Sequence, residues 1–241
     1  MPNSLVIVPT YNEIENIELL LEAVFKLPEP FDVLVVDDNS PDGTADVVSG
    51  LIKTYPNRLF LEKRLKKTGL GSAYIHGFKW ALTRNYDYIF EMDADFSHHP
   101  KDLVRLLNAA LKEKLDMVIG SRYITGVNVV NWPMSRVLLS YGASKYVRFI
   151  TGMPINDTTA GFVCYSRKLL QEINLNSIKF VGYAFQIEMK FKAYLKKFAF
   201  KEIPVIFTDR TRGTSKMTKG IISEAVFGVI QMKLTSMLKR K

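Results

Sequence analysis

The feature that most constrains the fold is a series of short apolar runs, each followed by a segment with helical periodicity. The runs span residues 5–8, 33–36, 59–61, 88–92 and 117–119. They are continuously apolar rather than alternating, which is typical of strands buried on both faces. The alternation therefore predicts an α/β chain with a mostly parallel central sheet flanked by helices.

A polar segment follows four of these predicted strands. The segments are residues 9–13, 37–44, 93–95 and 120–122. Because the carboxyl ends of parallel strands meet at one edge of a sheet, and ligands of open sheets bind at that edge, we expect the segments to form one site. Polar loops without a common role would be spread over both edges.

Asp93 and Asp95 lie one residue apart where the fourth predicted strand ends. This spacing directs both carboxylates to one side of the strand, and two hard oxygen ligands suit Mg2+ or Mn2+. An Asp-x-Asp segment also occurs in ordinary solvated turns. The metal hypothesis therefore depends on the neighbouring loops.

The composition predicts a folded core and a single large domain. The chain has 241 residues, of which 47% are hydrophobic, enough for one domain with at most a small appendage. The one cysteine, Cys164, excludes an intrachain disulfide and fits a reducing compartment. The first residues do not resemble a signal peptide, and no apolar run approaches the ~18 to 20 residues that span a bilayer. We expect a cytoplasmic chain.

The charge is distributed unevenly along the chain. Residues 1–122 hold 14 basic and 18 acidic residues, whereas residues 123–241 hold 19 and 6, within a net charge of +9. A basic half beside an acidic half indicates an anionic partner, and the alternative is a solvated basic surface. The cations are not interleaved with aromatic residues in a recognisable module, so we expect no nucleic acid.

The remaining loop residues fit a nucleotide and phosphates. Pro9, Tyr11 and Glu13 have the shape and hydrogen-bonding groups to hold a base or ribose, although Asn12 and Glu15 at the same place also fit a helix start. Paired acids at Asp37 and Asp38 favour a base, ribose or metal contact over a charged turn. A histidine metal site at residues 98–99 is an alternative. The cations that two phosphates would require are Arg122, Arg136, Arg210 and Lys216.

Five segments occur together and in order along the chain: 9–13 (Pro-Thr-Tyr-Asn-Glu), 36–44 (Val-Asp-Asp-Asn-Ser-Pro-Asp-Gly-Thr), 92–98 (Met-Asp-Ala-Asp-Phe-Ser-His), 120–123 (Gly-Ser-Arg-Tyr) and 209–216 (Asp-Arg-Thr-Arg-Gly-Thr-Ser-Lys). Together they resemble the dolichol-phosphate mannosyltransferases, or polyprenyl-phosphate mannose synthases, of the inverting family 2 glycosyltransferases. The match runs from about residue 5 to 220. It implies a GT-A (nucleotide-diphospho-sugar transferase) fold, with a catalytic domain over residues 1–216.

The resemblance also implies a role for each site residue. The nucleoside of GDP-mannose would be held by Pro9, Tyr11, Glu13 and Asp37. Mg2+ or Mn2+ on the diphosphate would be held by Asp93 and Asp95, and the diphosphate itself by Arg210 and Lys216. The phosphate of a polyprenyl or dolichyl acceptor would be held by Arg122, Arg136 and Ser140. The residues expected to take part in catalysis are Asp95, Arg122 and Arg136. Where some members carry Gln two residues after the metal-binding pair, this chain has Ser97.

The chemistry implied by the resemblance requires no catalytic base. A phosphate monoester is ionised at neutral pH, so it can attack the anomeric carbon directly. Displacement from the back face predicts inversion and a β-linked mannosyl phosphate lipid. The alternative is the same fold using UDP-glucose or UDP-N-acetylglucosamine with a lipid or saccharide acceptor, and a saccharide hydroxyl would require a base.

The C-terminal segment, residues 217–241, predicts an amphipathic helix. Its apolar residues form a broad stripe, and the segment ends in three cations at residues 239–241. Such a helix can lie on an anionic membrane surface or bind a membrane anchor subunit. The alternative is a helix that packs on its own core. With a lipid acceptor, we expect a peripheral protein at the cytoplasmic face of a membrane. The stripe consists of Ile222, Val226, Val229, Ile230, Leu234, Met237 and Leu238.

Overall fold

A computed structural model describes residues 2–210 and 220–238 of the chain. Its strands are β1 (Ser4–Thr10), β2 (Phe31–Asp37), β3 (Leu59–Lys63), β4 (Tyr88–Glu91), β5 (Met117–Ser121), β6 (Val129–Val130), β7 (Val163–Ser166), β8 (Phe200–Pro204) and β9 (Phe207–Thr208). Its helices are α1 (Ile17–Phe25), α2 (Thr44–Leu51), α3 (Leu70–Leu82), α4 (Lys101–Glu113), α5 (Met134–Thr151), α6 (Arg167–Glu172), α7 (Tyr183–Leu195) and α8 (Gly220–Leu238), with a 3-10 turn at Leu175–Ser177.

The main sheet has seven strands in the order β3-β2-β1-β4-β7-β5-β8, and β6 pairs with β9 in a small second sheet. All neighbours in the main sheet are parallel except those of β7, which runs antiparallel between β4 and β5. The prediction of a mostly parallel sheet is confirmed. Because β7 is reversed, its first residue lies at the edge where β4 and β5 end.

Side chains of the central strands pack on both faces of the sheet. Leu5 and Ile7 of β1 belong to the apolar cluster under α3, α6 and α7, whereas Val6 and Val8 belong to the cluster under α1, α2 and α4. Burial on both faces is why these strands are continuously apolar in the sequence. On the first face, Gly77 of α3 lets the helix approach β1, since a Cβ at that position would lie 2.7 Å from Ile7.

Beyond residue 123 the sequence pattern predicts helices over residues 135–150 and 185–195 and one last strand over residues 203–208. A single last strand over residues 203–208 is wrong, since β8 ends at Pro204 and β9 begins at Phe207. Pro204 lies at the last position paired with β5, and β9 pairs with β6 instead. The predicted helices over 135–150 and 185–195 are confirmed as α5 and α7.

The C-terminal helix α8 packs on the core along one face. Val229 and Met232 are buried in the cluster that also contains α7, while Phe227 and Leu234 are exposed. The Tyr146 hydroxyl of α5 donates to the Val226 carbonyl at 2.9 Å, and Lys233 Nζ donates to the Thr151 carbonyl at 3.2 Å. The domain division at residue 216 stays a prediction. Among the described helices, none is long and apolar enough to cross a membrane.

Candidate active site

The four predicted polar segments meet at one edge of the main sheet. Strands β1, β2 and β4 are parallel neighbours that end at Thr10, Asp37 and Glu91, and β5 ends at Ser121 on the far side of β7. The chain winds away from β1 in both directions, to β2 on one side and to β4 on the other. Such a change of winding direction opens a crevice beyond the strand ends, where open sheets bind ligands.

Asp37 anchors the loop that follows β2. Its buried carboxylate accepts hydrogen bonds from the Thr10 hydroxyl at 2.8 Å, the Ser40 amide at 2.9 Å and the Ser40 hydroxyl at 2.6 Å. These contacts tie the loop after β2 to the end of β1. A carboxylate has about four lone-pair sites, so Asp37 retains acceptor capacity for a ligand. Its role as a nucleoside ligand stays a prediction.

The loop after β1 presents an aromatic ring and a buried acid. Lys67 Nζ lies 4.4 Å from the centre of the Tyr11 ring, which brings the loop before α3 over this ring. Glu13 is buried, and its Oε2 accepts a hydrogen bond from Asn16 Nδ2 at 3.1 Å. The alternative helix start at Asn12 is wrong, because α1 begins at Ile17. Pro9 lies in β1 opposite Val36.

The two metal-binding candidates lie close to each other and to one arginine. Asp95 is buried; its Oδ1 accepts the Ser97 amide at 3.0 Å and its Oδ2 lies 2.7 Å from Arg210 Nη2. Asp93 is half-buried and accepts a long, 3.4 Å hydrogen bond from the Tyr74 hydroxyl. Burial and the neighbouring Asp95 raise the pKa of Asp93 well above its usual range, and Arg210 opposes the shift.

This pair of carboxylates fits Mg2+ or Mn2+ that also binds a diphosphate. Within residues 2–210 and 220–238, no group of three or more His, Cys, Asp or Glu residues is arranged to hold a metal. Mg2+ commonly takes one or two carboxylates and completes its shell with phosphate oxygens and water. A cation at this place would also relieve the repulsion between Asp93 and Asp95.

Arg210 lies between the loops that follow β1 and β4. Besides its contact with Asp95, its Nη1 lies 4.0 Å from Glu13 Oε1 in the loop after β1. The strand before it is fixed by backbone hydrogen bonds from Thr208 N to the Ser97 carbonyl and from Asp209 N to the Val130 carbonyl, both 3.0 Å. Arg210 therefore lies next to the acidic pair, where it could contact a diphosphate bound to a metal on Asp93 and Asp95. Lys216, its predicted companion, falls outside the described residues.

Arg122, at the end of β5, forms a buried bidentate ion pair with Asp157. Its Nε and Nη2 lie 2.7 and 2.6 Å from the two Asp157 oxygens, and Nη2 lies 2.9 Å from the Thr159 hydroxyl. Burial alone would raise the pKa of Asp157, but the charge and hydrogen bonds of Arg122 outweigh it and hold the pKa below its usual range. Arg122 thus anchors the turn that enters β7.

Arg136, in the first turn of α5, is more open. Its Nη1 lies 2.9 Å from Asp209 Oδ2, and its guanidinium carbon lies 4.1 Å from the centre of the Trp132 ring. The guanidinium carbon of Arg122 lies 5.4 Å from the same ring. Two guanidinium groups therefore lie near one indole, and Asp209, the partner of Arg136, directly precedes Arg210 in the chain. Ser140 follows Arg136 by one helical turn and is partly buried.

His98 and Glu91 belong to the interior. His98 stacks on Phe162 with ring centres 4.8 Å apart, and burial followed by Arg122 lowers its pKa to about 4, so it is neutral at pH 7. Glu91 is fully buried in β4, and burial raises its pKa to about 8. The histidine metal site gains no support from this environment.

The family follows from comparison with known proteins. Residues 5–174 match the family described as Glycosyl transferase family 2. The chain belongs to this family. It is 44% identical to the polyprenol monophosphomannose synthase of Mycolicibacterium smegmatis, over 98% of this chain and 89% of that one. It is also 44% identical to the undecaprenyl-phosphate mannosyltransferase of Micrococcus luteus, over 96% and 94%. The resemblance to polyprenyl-phosphate mannose synthases is confirmed.

Comparison with solved structures confirms the GT-A fold. Glucosyl-3-phosphoglycerate synthase of Mycobacterium tuberculosis with UDP matches with a TM-score of 0.65 and 17% identity, covering 98% of this chain and 80% of that one. The same enzyme with Mn2+, UDP and glucosyl-3-phosphoglycerate matches with a TM-score of 0.66 and 18% identity, with the same coverage. At this identity the likeness concerns the fold alone.

The sequence analysis of this family 2 glycosyltransferase does not identify Glu202, which positions the ion-pair partner of Arg122. Glu202 of β8 accepts hydrogen bonds from the Ser121 hydroxyl and the Asp157 amide at 2.8 Å each, and from the Asn156 amide at 2.7 Å. It therefore fixes the turn that carries Asp157. Glu202 follows Lys201 in the five-residue strand β8, so the local sequence does not mark it as buried, and its partners are distant in sequence.

Proposed function

We propose that this chain is an inverting mannosyltransferase that moves mannose from GDP-mannose to the phosphate of a polyprenyl or dolichyl phosphate. One observation carries the proposal: Arg210, which contacts Asp95, directly follows Asp209, whose carboxylate contacts Arg136 near Trp132. The arrangement provides for two phosphate-bearing ligands side by side. The names of the two relatives, both 44% identical, support mannosyl transfer to a lipid phosphate.

On the donor side, Asp37, Glu13, Tyr11 and Pro9 hold the nucleoside, and Asp93 and Asp95 hold Mg2+ or Mn2+. The metal, when bound, neutralises negative charge on the diphosphate. Arg210 and Lys216 add cations on the same diphosphate. Arg210 already lies against Asp95 Oδ2, so the acid that binds the metal also directs the guanidinium toward the leaving group.

On the acceptor side, Arg136 and Arg122 have different roles. Arg136 uses Nη1 for Asp209, and its partly exposed guanidinium presents its other edge to a ligand. Arg122 commits Nε and Nη2 to Asp157 and Thr159. Arg136 with Ser140 therefore makes the main contact with the acceptor phosphate, and Arg122 contributes its positive charge and holds the turn before β7.

The reaction is a single in-line displacement. An acceptor phosphate oxygen forms a bond to the anomeric carbon as the bond from that carbon to the diphosphate oxygen breaks, and the electron pair leaves with the diphosphate. The phosphate is already ionised, so no side chain removes a proton. The protein aligns the two anions and offsets their charge with Arg136 on one side and Arg210 on the other.

The acceptor lipid places the enzyme at the surface of a membrane. The proposal is peripheral association at the cytoplasmic face, either directly or through a membrane anchor subunit. A net charge of +9, concentrated in residues 123–241, favours an anionic surface.

A panel of radiolabelled nucleotide sugars tests the proposal. The full chain is incubated with Mn2+ and vesicles that contain polyprenyl phosphate, and the product is extracted into organic solvent. We expect label from GDP-mannose alone to enter the lipid, as a β-linked product. Label from UDP-glucose or UDP-N-acetylglucosamine instead would contradict the donor, and label on a saccharide would contradict the acceptor.

A further inference from the structure

Helix α7 places a lysine in the interior of the molecule. Residues 184–191 of this helix are all buried, and Lys190 has no exposed surface. Ile187, Met189 and Phe191 of the same helix belong to the apolar cluster on one face of the main sheet. Fully buried lysines are rare unless their charge is paired or hydrogen-bonded, because burial removes the ammonium group from water. The partners of Lys190 must therefore offset a substantial cost.

The ammonium group of Lys190 donates hydrogen bonds to three oxygens. Its Nζ lies 2.7 Å from the Ala160 carbonyl oxygen, and 3.3 Å from both the carbonyl oxygen and the Oε1 of Gln186. Gln186 lies one turn away in α7 itself. Ala160 ends the turn over residues 157–160, which leads into β7. The shortest contact of Lys190 is therefore the one that joins α7 to this turn.

The same turn is held at its other end by a charge of the opposite sign. Glu202 of β8 accepts hydrogen bonds from the Asn156 and Asp157 amides at 2.7 and 2.8 Å. A carboxylate is suited to amide hydrogens, and an ammonium group to a carbonyl oxygen. Glu202 and Lys190 are both buried. The turn is therefore fixed between two charged side chains from elements that are distant from it in sequence.

Two side chains of the turn contact Arg122. Asp157 accepts hydrogen bonds from Nε and Nη2 at 2.7 and 2.6 Å, and the Thr159 hydroxyl accepts one from Nη2 at 2.9 Å. Ala160 directly follows Thr159, so a movement of the Ala160 carbonyl would displace these acceptors from the guanidinium group. Small displacements of groups that orient a substrate have large effects on binding and rate.

We propose that Lys190 is a positioning residue for the acceptor phosphate, which holds the turn over residues 157–160 and through it the guanidinium group of Arg122. The inference rests on the proposed function, since it takes the acceptor side to bind a lipid phosphate. Lys190 is fully buried, so it acts through the turn and not by contact with a substrate.

The electrostatics of Lys190 support a role other than stability. Burial lowers the pKa of Lys190 to about 8, and the charges of Glu91 and Asp157 oppose the shift. At pH 7 the side chain is therefore mostly protonated. A folded pKa below the unfolded value means that the protonated side chain lowers the stability of the fold at this pH. Stability alone thus does not account for a charge at this place.

The donor side is the competing assignment. Glu91, whose charge acts on Lys190, lies two residues before Asp93 in the chain. Lys190 would then position the metal-binding pair instead of the acceptor side. The direct contact of Lys190 is with the Ala160 carbonyl, which favours the acceptor side. The two assignments differ in which substrate is affected when the lysine is replaced.

Steady-state kinetics of the full chain with Mn2+, GDP-mannose and polyprenyl phosphate separate the two substrates. Lys190→Met keeps the apolar stem and removes the charge and its hydrogen bonds. We expect the KM for the acceptor to rise about three- to tenfold, with kcat within about twofold and GDP affinity unchanged. The matched control is Lys192→Met in the same helix, whose lysine donates to the Ser177 carbonyl at 3.1 Å; all three values should stay the same.

A double-mutant cycle with Thr159→Val tests whether Lys190 acts through the turn. The valine removes the hydroxyl that accepts a hydrogen bond from Arg122. If Lys190 acts through the turn, the combined effect on the acceptor KM should be smaller than the product of the single effects. Independent effects would overturn the inference. A fall in GDP affinity with an unchanged acceptor KM would overturn it in favour of the donor side.

An NMR signal of Arg122 reports on the turn without any substrate. In the chain labelled with 15N-arginine, the Arg122 Nε–H signal is identified by its absence in Arg122→Lys. It should shift and exchange faster with water in Lys190→Met, because its acceptor Asp157 is displaced, and should stay in place in Lys192→Met. An unchanged signal in Lys190→Met would overturn the inference.

Two provisions keep the test decisive. If Lys190→Met does not fold, Lys190→Gln, which is uncharged and one atom shorter, replaces it in every measurement. If no form of the chain transfers mannose, the proposed function fails, and the Arg122 signal alone decides whether Lys190 holds the turn.

Discussion

The donor side and the acceptor side of the crevice balance their charges in opposite ways. On the donor side, Asp93, Asp95 and Glu13 are all near Arg210, so acids outnumber cations among the described residues around this guanidinium group. On the acceptor side, Arg122 and Arg136 each have a carboxylate of their own, Asp157 and Asp209. Under the proposed function, the donor side would therefore require an added cation to bind a diphosphate, whereas the acceptor side would have its cations positioned in advance.

The contrast predicts which substrate's binding should depend on a metal and which should depend on the arginine side chains. Metal dependence should belong to nucleotide binding alone, because two adjacent carboxylates repel a diphosphate until a cation neutralises them. Acceptor binding should depend instead on how the guanidinium groups are held. The two sides meet directly after β9, where Asp209 and Arg210 are consecutive and contact one side each.

The largest effect is expected from Asp95→Ala. The variant removes a metal-binding carboxylate and the partner of Arg210, so transfer should fall by about 10²–10³-fold or more. Affinity for GDP with Mn2+ should fall with it, while the melting temperature changes little. Steady-state transfer and calorimetric titration of GDP check this, with Asp46→Ala, an exposed acid on α2, as the control. Full transfer in the presence of a chelator would contradict the metal role.

The next largest effect is expected from Asp157→Asn, which should change the stability of the fold rather than the transfer reaction. The change leaves the buried Arg122 charge without its counter-ion, which should lower the free energy of unfolding by about 3–5 kcal/mol. The pKa of Asp157 is depressed, so its contribution is present above its unfolded pKa of about 4 and is lost as the pH falls through the folded value. The difference between variant and unaltered chain should therefore shrink in acid.

Urea unfolding at pH 7 and at acid pH measures this difference. The control is Glu22→Gln, which breaks the exposed pair with Lys26 and should cost less than about 1 kcal/mol. A loss for Asp157→Asn no greater than for the control would mean that the Arg122 pair is not what holds the turn before β7.

The same contrast explains how much the sequence predicts. Donor-side residues such as Asp37 and Asp93 follow apolar strands directly, and parallel strands bring their ends to one edge, so both the fold and this half of the site can be predicted. The acceptor side depends on β7, whose reversal brings Asp157 to the same edge. No local pattern encodes which acid pairs with Arg122, because that pairing is set by packing between segments distant in sequence.

A smaller effect, confined to one substrate, is expected from Arg136→Ala. Loss of a charge-assisted contact with the acceptor phosphate should reduce kcat/KM for the lipid by about 10- to 100-fold. GDP affinity should stay the same, because Arg136 lies on the acceptor side with Asp209 and Trp132. Separate titration of nucleotide and acceptor provides the measurement. An equal loss for both substrates would refute the division between the two sides.

The smallest effect is expected from Asp209→Asn, which tests whether the acceptor side is positioned in advance. The side chains of Arg136 and Asp209 are 32% and 28% exposed, so solvent weakens their pair. Asparagine keeps an oxygen acceptor but loses the charge, and we expect the KM for the lipid phosphate to rise about two- to fivefold with kcat nearly unchanged. Asp209→Glu should restore part of the loss. A fall in GDP affinity would instead show that Asp209 acts through Arg210, the next residue in the chain, and that the two sides are coupled rather than independent.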